Sequence, residues 1–284
     1  VNYQHAFHAG NFADCFKHAV LVELLRALTE KAAPLSYIET HAGSGRYLLD
    51  AAQAEKTLEF KEGIEKLYDI TALPPELHRY VEQVRRLNSF LALSAYPGSP
   101  YLAGAMLRAE DKLQLVELQD EPITILKHCM GRDARVRILQ QDGYAALRSL
   151  LPPTPKRALI MIDPPFEQNN EWDVILESLK AAFTRLPTGV YMIWYPIKIG
   201  REMAPIYRKL RELCTQFPIK SALAAEFCIH PDETALRLNG CGIVLINPPF
   251  KFEQTLERLL TPLHRLLKIE PRARAQWQWL KTAV

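Results

Sequence analysis

From residue 112 to residue 216 the chain alternates short apolar runs with longer stretches of helical periodicity, and few folds accommodate that alternation. The apolar runs at 112–118, 135–139, 158–162 and 190–194 have strand length. The stretches at 121–130, 143–150, 171–185 and 201–216 carry apolar residues on one helical face. Such alternation implies parallel βαβ units and a doubly wound sheet. Upstream, residues 11–31 read as a long helix with Asn11 or Asp14 as its cap, and residues 35–40 as a buried strand that runs into His41-Ala-Gly-Ser-Gly45. Downstream, 220–229 and 242–246 are two strands joined by a polar loop with no helix between them, so one must return antiparallel to its neighbour. Residues 49–96 have helical periodicity, strongest at 60–68 and 75–90, and no strand. A structureless loop of that length is disfavoured, so they read as a helical subdomain inserted between the first two core strands.

The 284 residues suit one large domain, here 1–284, with a core of its own. A net charge of +3 permits a local basic patch without announcing one. Five cysteines, with no Cys-x-x-Cys pair and no Cys/His cluster, argue against both a disulfide framework and a metal site. No apolar run has the length of a membrane span, and the opening residues lack the apolar stretch of a signal peptide, so a cytoplasmic protein is expected.

Three places carry candidate chemistry. Glu39-Thr-His-Ala-Gly-Ser-Gly45 is a strand emptying into a Gly-x-Gly turn, where the backbone can approach a nucleotide-like ligand closely. Leu48 stands where a dinucleotide fingerprint needs its third glycine, which counts against a nicotinamide enzyme. Glu117 ends the next strand, where an acid can accept hydrogen bonds from both ribose hydroxyls. It lies 72 residues beyond Gly45, an excess over the usual 20 or so that the inserted segment explains. Asp142-Gly143, after the following strand, can meet an adenine amino group above an open pocket floor.

The third place is Asp163-Pro164-Pro165-Phe166, directly after the apolar run 158–162. An amino group conjugated with a ring is a poor nucleophile because its lone pair is delocalised. The Asp163 carboxylate and the Pro164 carbonyl can each accept one of its N–H groups and favour a pyramidal nitrogen. The prolines hold that carbonyl without competing donors, and Phe166 offers a face on which a flipped base can stack. Asn247-Pro248-Pro249-Phe250 repeats the pattern, but after the last strand, so its turn should open at the opposite end of the sheet. Hydrolase chemistry has no Gly-x-Ser-x-Gly elbow or triad spacing to rest on.

A mainly parallel twisted sheet ending in an antiparallel hairpin strand is the α/β, Rossmann-like architecture of class I methyltransferases. The ordered set Tyr3-Gln-His5-Ala-Phe-His8-Ala-Gly-Asn11, Thr40-His41-Ala-Gly-Ser-Gly45, Tyr96-Pro-Gly-Ser99, Leu115-Val-Glu117, Asp142-Gly143, Asp163-Pro-Pro165 and Trp194-Tyr195-Pro196 resembles the bacterial 23S rRNA adenine-N6 methyltransferase family RlmJ. The resemblance implies S-adenosyl-L-methionine held by His18, His41, Ser99, Glu117, Asp142, Gly143 and Asp163, with Asp163 catalytic. It also implies Tyr3 and His5 over the target base, in a lid formed by residues 1–14, and a monomer acting on protein-free 23S rRNA. The family has Tyr where this chain has Phe166. Arg85, Arg86, Lys251, Arg258, Arg265, Lys268, Arg272 and Arg274 are candidate phosphate contacts. DNA adenine, a protein glutamine amide, or RNA binding without catalysis are the alternatives that the residues leave open.

Overall fold

The protein, a computed structural model, is described over residues 4–199, 202–234 and 238–282. The first helix, α1 (Phe12–Thr29), starts where the Asn11 side chain accepts the Asp14 amide at 3.0 Å. It is buried nearly all round, including Asp14, Lys17 and His18. β1 (Ser36–Glu39) follows, fully buried. β2 (Arg46–Leu48) and β3 (Ala95–Pro97) form a small antiparallel sheet of their own that the sequence pattern did not suggest. Between them run α2 (Ala52–Thr57), α3 (Glu65–Tyr68) and α4 (Pro75–Leu87), and α5 (Ser99–Met106) comes after. α4 turns Leu77, Tyr80, Val81 and Val84 inward, and its Arg79 meets the buried Glu23 of α1 at 2.6 Å.

The alternating half of the chain gives β4 (Lys112–Val116), α6 (Asp120–Met130), β5 (Val136–Leu139), α7 (Gly143–Leu150), β6 (Ala158–Ile162), α8 (Glu171–Arg185), β7 (Val190–Ile197) and α9 (Ala204–Gln216). β1, β4, β5, β6 and β7 are parallel. β8 (Ala222–Cys228) and β9 (Gly240–Ile246) are the expected final pair, with β9 inserted antiparallel between β7 and β8. α10 (Phe252–Leu267) and β10 (Ala275–Lys281) complete the chain, β10 pairing antiparallel with β8 at the sheet edge. The eight-stranded order is β10-β8-β9-β7-β6-β1-β4-β5. α1, α4, α5, α6 and α10 pack on one face of the sheet and α7, α8 and α9 on the other. Because five strands point the same way, Glu39, Glu117, Asp142 and Asp163 all emerge along one edge, where open α/β sheets bind their ligands.

Candidate active site

The glycine turn after β1 takes left-handed backbone at Gly43 (φ 60°) and Gly45 (φ 74°), which side chains would resist. The turn brings the Gly43 amide to 2.8 Å from one Glu117 carboxylate oxygen, while the Gln119 amide donates to the other at 2.9 Å. Two backbone donors therefore hold Glu117 in one orientation, with lone pairs left over for a diol. Asp142 caps α7, accepting the Ala145 amide at 2.7 Å, and Gly143 lies so close to the Thr40 carbonyl that any side chain there would collide with it. His41 accepts or donates at 2.7 Å with Thr40 Oγ1 and sets its ring edge against Tyr144.

On the β6 side of the turn, Ser99 donates to Glu39, which also accepts the Tyr37 hydroxyl at 2.9 Å. Burial pushes the Glu39 carboxyl up to about 8 against those two hydrogen bonds, with the Asp163 charge adding to the rise. His18 is 1% exposed. Its Nδ1 meets the Tyr96 hydroxyl at 2.8 Å, and its Nε2 is buried with no hydrogen-bond partner. A buried ring nitrogen left unpaired costs free energy unless a ligand supplies the partner.

Asp163 stands at the end of β6. Its Oδ2 meets the Lys17 ammonium at 2.6 Å, Lys17 meets Asp14 at 3.0 Å, and Asp14 meets His5 Nε2 at 3.0 Å. Although burial opposes it, the neighbouring His5 and Lys17 hold the Asp14 carboxyl well below the usual carboxylate range. The chain of charges ties residues at the start of the molecule to the Asp-Pro-Pro turn. Lys17 also lies 5.7 Å over the Trp194 ring, and Trp194 meets Phe166 edge-on at 6.2 Å.

Lys17 and Trp194 are site residues that motif reading missed. The available signal was Asp14, Lys17 and His18 at spacings of three and four on an otherwise apolar helix, which places all three on one face. Tyr3 lies outside the described residues. Phe166 does not present the free stacking face expected of it. Its ring is 4% exposed and wedged between Trp172 (5.7 Å) and Trp194, on a backbone with φ 50°.

Asn247 sits at the opposite edge of the sheet and braces loops. It accepts the Lys220 amide at 2.8 Å and donates to the carbonyls of Pro187 and Gly189 at 2.8 and 2.9 Å. Among the basic candidates, Arg85 donates to the Tyr68 and Ile70 carbonyls, Arg86 pairs with Glu82, Arg258 with Glu76, Arg272 with Glu233, and Arg274 with Glu226 and Asp232. Intramolecular partners thus engage most of them. Among the described residues no group of three or more His, Cys, Asp or Glu could hold a metal ion, and no helix is long and apolar enough to cross a membrane.

The arrangement can receive a nucleoside carrying a charged tail: an oriented carboxylate after β4, a second acid after β5, and on α1 a buried ring nitrogen without a partner, one residue from the lysine that meets Asp163. Residues 32–281 match the family described as "Ribosomal RNA large subunit methyltransferase D, RlmJ". Ribosomal RNA large subunit methyltransferase J of Escherichia coli K12 is 35% identical over 280 residues, 99% of each chain. The protein of the same name from Haemophilus influenzae Rd is 35% identical over 283 residues, again 99% of each. A solved structure from Legionella pneumophila Philadelphia 1, protein LPL1258, is 34% identical and superposes with a TM-score of 0.86, covering 97% of this chain and 98% of that one. Full-length identity at this level, joined to the sheet order and the Asp-Pro-Pro turn at the edge where the parallel strands end, places the chain in the RlmJ family of ribosomal RNA large subunit methyltransferases.

Proposed function

We propose that the protein methylates N6 of an adenine in 23S rRNA, with S-adenosylmethionine as donor, and that it acts as a monomer on protein-free RNA in the cytoplasm. The observation that carries the reading is the position of Asp163-Pro164-Pro165, at the end of β6 and one strand from the Glu39 and Gly43 turn, in a chain related end to end to RlmJ proteins. The chain works as one domain, 1–284, in which 49–96 is the inserted helical subdomain; of the segment 1–14 read as a lid, the described residues 4–11 would cover the site, whereas Phe12–Asp14 belong to the buried helix α1.

When bound, the donor supplies an electrophilic methyl on a sulfonium. Glu117 would take its ribose hydroxyls, Asp142 and Gly143 its adenine, and His18, His41 and Ser99 would line the rest of its site. The target adenine must leave its stack, because its amino group is out of reach inside a helix. Asp163 and the Pro164 carbonyl accept the two N–H groups and turn the nitrogen lone pair toward the methyl. Lys17 on Oδ2 fixes the carboxylate orientation and leaves Oδ1 for the base. The N–C bond forms as the C–S bond breaks, and the extra proton on nitrogen passes to solvent. Asp163 acts as an acceptor more than as a strong base. His5 joins this chain of charges through its bond to Asp14, a position from which it would cover the base. Phe166 would reach the base only if its ring left the two indoles.

Transfer of labelled methyl to naked 23S rRNA, DNA and protein fractions tests the reading. Label should appear as N6-methyladenine in the rRNA alone, and Asp163→Ala should lower kcat by roughly 10² to 10³-fold. Label confined to DNA or to protein glutamine would replace the substrate. No transfer, with RNA still bound, would make the protein a binding relative.

A further inference from the structure

We propose that Tyr96 and Tyr80, both supplied by the inserted segment, set which ring nitrogen of His18 carries its proton and thereby its grip on the carboxylate of the donor's methionine tail. The proposal rests on the donor site read above. His18 Nδ1 lies 2.8 Å from the Tyr96 hydroxyl, which lies 2.8 Å from the Tyr80 hydroxyl, and both tyrosines are fully buried. The His18 and Tyr96 rings are stacked at 5.5 Å, which fixes the imidazole plane. Burial pushes His18 down to about 3, so the ring is neutral and has one proton to place.

Two directions satisfy this hydrogen-bond chain. In one, Tyr80 donates to Tyr96, Tyr96 donates to Nδ1, and Nε2 carries the proton. In the other the chain reverses: Nδ1 donates to Tyr96, Tyr96 to Tyr80, and Tyr80 toward the buried Cys15 thiol that lies against it. Only the first offers an N–H at Nε2, the buried atom that has no partner within the protein. The position of that atom selects the ligand group. His18 follows Lys17 on α1, and Lys17 meets Asp163 at the end of β6, where the reacting end of the donor must lie. Glu117 and Asp142 are displaced toward β4 and β5 for the nucleoside. An amino-acid tail presents a carboxylate there, and a carboxylate accepts but never donates. Its arrival therefore selects the direction in which Tyr96 donates, and a ring held that way beforehand binds it with less rearrangement.

Tyr96→Phe removes one hydroxyl and keeps the stacked ring. Calorimetry with S-adenosylhomocysteine, which has the amino-acid tail, and with 5′-methylthioadenosine, which lacks it, separates this role from simple packing. The variant should bind S-adenosylhomocysteine roughly 10-fold more weakly and 5′-methylthioadenosine as the parent does. Nitrogen-15 spectra of His18 should show the proton on Nε2 in the parent with S-adenosylhomocysteine bound, and a mixture of tautomers in the variant. Equal weakening of both ligands, or an unchanged tautomer, overturns the proposal and leaves the donor reading standing. If the parent binds neither ligand, the donor reading falls and this proposal with it.

Discussion

At the scale of single residues, Glu39 shows how burial couples the site to stability. With its carboxyl pushed up to about 8 by burial, and ordinary near 4.5 once unfolded, the native state keeps a proton that the unfolded chain releases between those values. The unfolded state then binds fewer protons, so this group's contribution falls as pH rises from about 4.5 to about 8. Asp163 and Lys17, the charged groups beside it, act in opposite senses on the same carboxyl. Glu39→Gln resembles the protonated acid, and its thermal midpoint should fall less than the parent's between pH 5 and pH 9. Parallel curves for the two proteins would remove the argument. The residues most legible in the sequence were those whose chemistry sits in the backbone around them: an Asp before two prolines, glycines at positive φ, an acid at a strand end. Lys17 was harder to read. Its spacing from Asp14 marks a polar face on α1 but not what that face meets, and only the fold brings it 146 positions along the chain to Asp163. The burial of Phe166 was equally hidden, because Trp172 and Trp194 reach it from α8 and β7.

At the scale of elements, the two Pro-Pro-Phe turns are alike in sequence and differ in what their strands do. β6 runs parallel to β1 and ends at the edge that carries the candidate site. β9 runs against β7 and ends at the other. Asn247 there holds the ends of three segments together with one side chain. Asn247→Ala should therefore cost about 1–3 kcal/mol of stability, measured by denaturant unfolding, while the folded variant transfers methyl at the parent's rate. A loss of kcat without loss of stability would move chemistry to that turn. The alternating strands and helices from β4 to α9 were readable because their apolar periods are clean. α10 was not, since Pro262 interrupts a pattern that the fold nonetheless accepts as helix. β10 carries its period of two in Trp277 and Trp279, but as a half-buried edge strand it has too few apolar residues to stand out.

At the scale of the whole molecule, a net charge of +3 must still deliver phosphate contacts to the catalytic edge. The arginines singled out from the sequence are mostly engaged by carboxylates and carbonyls, a pairing visible only in three dimensions. Arg46, at the exit of the glycine turn, and Lys198, just past β7, are exposed along the edge that carries Asp163. Replacing both with Gln should raise KM for RNA, leave kcat near the parent value, and reduce the slope of log KM against log salt by roughly 1 to 2. Arg86→Gln, whose guanidinium already faces Glu82, should change neither. If Arg86→Gln matches the double variant, the RNA lies along α4 instead. The placement of β9 has a further consequence for how the protein is made. Among the described residues β8 pairs with β9 and β10, both synthesised after it, so a nascent chain that ends within the following loop exposes β8 with no neighbour to join. β1 waits longer still, because its partners β4 and β6 both follow it, the nearer beginning at residue 112. By residue 197, however, all five parallel strands have been made, so the half of the sheet that carries Glu39, Glu117, Asp142 and Asp163 is the half that can close first.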